Sequence, residues 1–142
     1  MSFLEDIKKE FNVGEVDIRT YSPLTLAFIG DCVFDMVIRS ILVGRANRQP
    51  EKLHKRKSAV VKAQTQSAMI LAIMEELTEE EQVYFKRGRN AHSYSSAKNA
   101  SLGDYRRATG FEALLGYLYL TEQTDRILEL TRLGLGKLDI EI

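Results

Sequence analysis

The stretch from Leu24 to Val43 constrains the chain most, because it is the longest apolar run in the sequence and still carries Asp31, Asp35 and Arg39. Its length is near that of a membrane span, but three charges are costly at a bilayer centre, so it reads as a buried core helix. Ser22-Pro23 sets its start: the hydroxyl caps the free amides, and proline loses nothing at the first helical position. Gly44 is expected to end it. Gln49-Pro50 opens a second long helix, basic at first and apolar later through Ala68, Met69, Ile70, Leu71, Ile73 and Met74. Thr78 with Glu81 forms a capping box for a third helix toward Arg89, acidic in its first turn and basic in its last, as the helix dipole prefers. Two more helices cover roughly 102–120 and 124–133, the latter closed by Gly134 and Gly136.

No segment alternates polar and apolar residues strictly enough for a half-buried strand, and the polar stretch 90–100 reads as a loop. The fold class is therefore all-α. A chain of 142 residues, 44% hydrophobic and 28% charged, is long enough for one domain with its own core. The expected layout is an N-terminal segment over 1–20, one domain over 21–135 and a tail over 136–142. A single cysteine, Cys32, excludes an internal disulfide, and the N-terminus lacks the pattern of a signal peptide. A cytoplasmic location follows. Within an apolar helix and without a basic neighbour, Cys32 is expected to be an inert thiol.

The net charge is zero but unevenly placed. Over 51–62, five bases (Lys52, Lys55, Arg56, Lys57, Lys62) face one acid; over 86–107, six face one; between them stand Glu75, Glu76, Glu79, Glu80 and Glu81. Such segregation creates a positive surface of the kind a phosphate backbone requires, although solvated helix faces give the same pattern.

Two carboxylates lie in otherwise apolar surroundings. Asp31 has Ala27, Phe28, Phe34 and Asp35 at its helical offsets, and Glu112 has Ala108, Thr109, Leu115 and Gly116. Neither has a base there, whereas Asp35 has Arg39 one turn on. Both acids are expected to be substantially buried, and an ionised carboxylate leaving water needs a cation or donors. Gly30 and Gly116 remove side chains beside them, so the two helices can approach closely. Two such acids, able to converge, suit a hard divalent cation with oxygen ligands, magnesium being the natural candidate; an unseen salt bridge is the alternative. His54 and His92 lie in basic or loop segments and are not needed as a base.

The same residues carry a family resemblance. Leu26-Ala27-Phe28-Ile29-Gly30-Asp31-Cys32-Val33-Phe34-Asp35 resembles the ribonuclease III signature, approximately L-E-F-L-G-D-A-V-L-E. The run from Ala108 to Leu120, with Phe111-Glu112-Ala113-Leu114-Leu115-Gly116, resembles that family's second acidic segment. With the basic segment Lys86-Arg87-Gly88-Arg89-Asn90-Ala91, the chain is closest in pattern to the catalytic-domain-only bacterial branch, Mini-ribonuclease III. Two departures stand out: Ala27 and Thr109 occupy positions where the wider family has acids.

The resemblance implies a helical endonuclease domain working as a symmetric homodimer. It implies magnesium-dependent hydrolysis of double-stranded RNA to 5′-phosphate and 3′-hydroxyl ends. Asp31 and Glu112 would be the catalytic and metal-holding residues, with Asp35 or Thr109 acting through water. By the same analogy the substrate is the precursor of large-subunit (23S) ribosomal RNA. No double-stranded-RNA-binding domain is expected, so RNA contacts fall to Lys52, Lys55, Arg56 and Lys57, and to Lys86, Arg87, Arg89, His92 and Lys98. A catalytically inactive RNA-binding relative is the alternative that Ala27 and Thr109 leave open.

Overall fold

The computed structural model describes residues 2–91 and 101–142, which form helices and connections without a strand. In chain order the helices are α1 (Phe3–Glu10), α2 (Pro23–Arg45), α3 (Pro50–Val61), α4 (Ala63–Ile73), α5 (Glu79–Arg89), α6 (Leu102–Leu120) and α7 (Thr124–Lys137). Their starts follow local chemistry. The Ser22 hydroxyl accepts from the Thr25 amide at 3.2 Å, with Pro23 in the first turn of α2. Thr78 and Glu81 cap each other's backbone at 3.1 and 2.9 Å, launching α5. Ser2 and Glu5 form a second capping box, which starts α1 inside the N-terminal segment.

Three helix ends differ from expectation. Gly44 does not stop α2, because its backbone stays helical and the chain turns extended only at Ala46. The single long helix expected after Pro50 is broken at Lys62, whose ψ of 156° is extended. No proline or glycine marks this break; α4 side chains instead serve the carbonyls it frees, Thr65 Oγ1 donating to Ala59 at 2.8 Å and Gln66 Nε2 to Val61 at 2.7 Å. Finally, α7 runs through Gly134 and Gly136. A Cβ on Gly134 would come within 2.9 Å of Met69 Cε, so this glycine lets α7 close on α4, and the left-handed residue beyond α7 is Asp139, with φ of 54°.

The core is built around α6, which packs on α2, α5 and α4. Phe111, Leu114, Leu115 and Leu118 are fully buried there. Phe34 meets Phe111 edge-on at 5.4 Å, and Tyr84 stacks on Tyr117 at 3.9 Å. Where α2 crosses α6 the backbones touch: a Cβ on Gly30 would lie 1.7 Å from the Glu112 carbonyl oxygen, and one on Gly116 would lie 2.0 Å from that of Leu26.

As a core helix, α2 is buried along one stripe only. Leu26, Ala27, Gly30, Phe34, Ile38 and Leu42 face inward, but Phe28 is 80% exposed and Val43 63%, on a face shared with Met36. Cys32 lies on that outer face and is exposed, so the expectation of a buried thiol is corrected. Helical geometry gives the reason: one long helix on the outside of α6 buries a single stripe. Among the described residues no helix is long and apolar enough to cross a membrane.

Candidate active site

The α2–α6 crossing assembles the acids. Gly30 accommodates the backbone of Glu112 itself, and Asp31 is the next residue along α2, so the closest approach of the two helices sets the carboxylates side by side. Asp31 is exposed, which corrects the expectation of burial; Glu112 is partly buried. Burial first, and then the charge and contact of Asp31, push the Glu112 carboxyl up from 4.5 to about 8, while a hydrogen bond from Gln66 acts in the opposite direction. Neither acid forms an ion pair among the described residues, so the salt-bridge alternative does not describe them.

Asp31 opens into a recess of 540 Å³ walled by Phe28, Cys32 and Asp35 of α2 and by Lys57 and Val61 of α3. Asp35 is occupied as expected, with Arg39 Nε at 2.7 Å, and Lys57 adds a second contact at 3.6 Å. Thr109, where the wider family has an acid, is buried and donates its hydroxyl to the Tyr105 carbonyl at 3.0 Å. Ala27, the other departure, is buried one turn before Asp31.

The oxygens of Asp31 and Glu112, side by side and without a base, suit a hard divalent cation. Among the described residues no group of three or more His, Cys, Asp or Glu could hold an ion, so two carboxylates are the protein's offer and water or phosphate must complete any shell.

The basic candidates are placed unequally. Lys52, Lys55 and Arg56 are exposed on α3, whereas Lys57 is turned toward Asp35 with its side chain 14% exposed. Lys86 is exposed near the end of α5. Arg87 lies over the Tyr84 ring and donates to the Tyr21 carbonyl at 3.2 Å; Arg89 lies over Phe85. His92 and Lys98 fall outside the described residues.

Two buried or half-buried polar contacts are not visible in the sequence, and only that of Gln66 reaches the acid pair. Gln66 is 2% exposed, and its Nε2 lies 3.3 Å from Glu112 Oε2. Its signal was a glutamine in register with Met69, Ile70 and Ile73, a position where an apolar residue is ordinary. Arg107, counted only as part of a basic stretch, donates to Ser67 at 2.7 Å and to Asp104 at 3.3 Å.

Comparison with known proteins finds relatives over most of the chain. The Ribonuclease III domain family matches residues 24–123. Mini-ribonuclease 3 of Clostridium tetani is 47% identical over 119 residues, covering 82% of this chain and 78% of that one. Mini-ribonuclease 3 of a Thermoanaerobacter species is 40% identical over 134 residues, 94% of this chain and 92% of that one. A crystal structure of a Fusobacterium nucleatum protein superposes with a TM-score of 0.78 at 31% identity, covering 86% of this chain and 99% of that one.

Proposed function

The chain belongs to the ribonuclease III family, in its Mini-ribonuclease III branch, and is an endoribonuclease; from there we propose that residues 21–135 form a magnesium-dependent nuclease for double-stranded RNA, with Asp31 and Glu112 as its catalytic, metal-holding pair. The observation that carries this reading is the α2–α6 crossing at Gly30, which sets Asp31 beside Glu112 at the mouth of a recess with no base paired to either acid among the described residues. Such an arrangement is unfavourable for folding alone and favourable for holding a divalent cation.

Magnesium, when bound, supplies a Lewis acid that acidifies water and offsets charge developing on the phosphoryl oxygens. Asp31, exposed at the mouth of the recess, would hold the ion and accept a hydrogen bond from the attacking water. Glu112, held deeper, would give up its proton to solvent and complete the protein's share of the oxygens. Lys52, Lys55, Arg56 and Lys86 supply phosphate contacts from α3 and α5, joined by Lys57, Arg87, Arg89, His92 and Lys98. A-form RNA is recognised chiefly by shape, phosphates and 2′-hydroxyls, which such a set can read.

Cutting both strands of a duplex calls for two sites. The outward face of α2, with Phe28, Met36 and Val43, is an exposed apolar strip beside Asp31, and it supports a symmetric homodimer with two sites across one duplex. The biological substrate is the precursor of large-subunit (23S) ribosomal RNA, processed in the cytoplasm to 5′-phosphate and 3′-hydroxyl ends.

Incubation of the protein and its Asp31→Asn variant with duplex RNA, with and without magnesium, tests the reading. Cleavage is expected only for the unaltered protein with magnesium. Binding without any cutting would instead make the chain an RNA-binding relative that lost its chemistry, and equal cutting of B-form DNA would remove the RNA specificity.

A further inference from the structure

We propose that Gln66 is a positioning residue for the acid pair, tying the Glu112 carboxylate to the α3–α4 break so that it faces Asp31; this rests on the reading that Asp31 and Glu112 hold a divalent cation. Gln66 stands on the apolar stripe of α4 and is 2% exposed, where burial without full hydrogen bonding is costly. Its amide nitrogen has two protons, and each has an acceptor: the Val61 carbonyl at 2.7 Å and Glu112 Oε2 at 3.3 Å. Both neighbours can only accept when Glu112 is ionised, so chemistry fixes which end of the amide faces them.

The oxygen of the same amide has no hydrogen-bond partner among the described residues. A buried acceptor left unmade works against folding, so this side chain is poorly explained as core filling and well explained by its nitrogen. Lys62 is extended, which leaves the Val61 carbonyl without a helical partner and makes it a fixed anchor on the wall of the Asp31 recess. One amide therefore links that wall to Glu112, and the acid's direction follows from the break in the helix.

The test uses manganese as probe and the full-length protein, with free Mn²⁺ followed by electron paramagnetic resonance in the unaltered protein, Gln66→Met and Asp31→Asn. Asp31→Asn is expected to abolish the site, and Gln66→Met to weaken Mn²⁺ binding roughly tenfold or more with the circular dichroism spectrum unchanged. On duplex RNA, kcat of Gln66→Met falls by a similar factor at unchanged KM, and excess divalent ion restores part of it. Should Gln66→Met not fold, Gln66→Asn keeps the amide but shortens its reach by one methylene, and the same loss is expected. Unaltered Mn²⁺ affinity in a folded Gln66 variant, with Asp31→Asn dead, overturns the positioning role alone. Mn²⁺ binding that ignores Asp31→Asn, or is missing from the unaltered protein, overturns the acid-pair reading and the positioning role with it.

Discussion

Glu81 on α5 and Glu112 on α6 both leave bulk water for the protein interior, but their surroundings treat them in opposite ways. Burial alone would raise Glu81; instead Arg126, at 2.8 and 2.9 Å, and the Thr78 amide outweigh it and hold that carboxyl below its ordinary value. Glu112 has a second carboxylate where Glu81 has a guanidinium, so nothing offsets its burial and Asp31 adds to it, and it rises to about 8. The first arrangement closes the α5 N-terminus onto α7. The second leaves two carboxyls without a base beside an open recess, where a proton on Glu112 or, in the proposed function, a divalent cation offsets the charge. An acid in a core is thus informative through its partner, and burial by itself says little about role.

The sharpest way to break this contrast is Gly30→Ala. Its new Cβ would meet the Glu112 carbonyl at 1.7 Å, so α2 and α6 must separate. A loss of more than about 4 kcal/mol is expected, enough to leave little folded or active protein in urea titrations and cleavage assays. Next comes a matched pair of isosteric changes. Glu112→Gln should lower kcat by about 10³-fold while stability at neutral pH holds, because a carboxyl raised to about 8 is already largely neutral there. Glu81→Gln should do the reverse, costing roughly 2–3 kcal/mol in chemical denaturation with activity per folded molecule preserved.

The smallest effect is the pH dependence, and its two signs differ. Glu112 binds its proton more tightly folded than unfolded, so its contribution to stability is full below about 4.5 and is lost as pH rises through about 8. Glu81, held below its ordinary value, contributes above 4.5 and loses that contribution as pH falls through its lowered value. In chelator, unfolding curves from about pH 4 to about pH 9 should lose their alkaline decline in Glu112→Gln and soften their acid decline in Glu81→Gln. If the variants leave both limbs unchanged, the contrast drawn here fails.

Much of the helical plan was legible because its signals act within one turn. Ser22-Pro23, Pro50 and the Thr78–Glu81 box mark helix starts wherever they fall, and each did so here. The glycines were legible as small residues but not by role. Gly30 and Gly116 let helices touch, as read, whereas Gly44, Gly134 and Gly136 stayed helical where ends were expected. A glycine ends a helix only if the chain beyond it has somewhere else to go.

The site divides along the same line. Sequence alone identified Asp31 and Glu112 as acids without local bases, and the motifs around them as those of a nuclease family, because residue type and helical offset are local properties. Tertiary structure decided that Asp31 faces water, that Cys32 does too, and that Lys57 turns to Asp35. It also decided that a break at Lys62 brings Gln66 to Glu112. None of these could be read from offsets, since each depends on which stripe of a helix its neighbours cover and on atoms from distant segments meeting only once the core has packed.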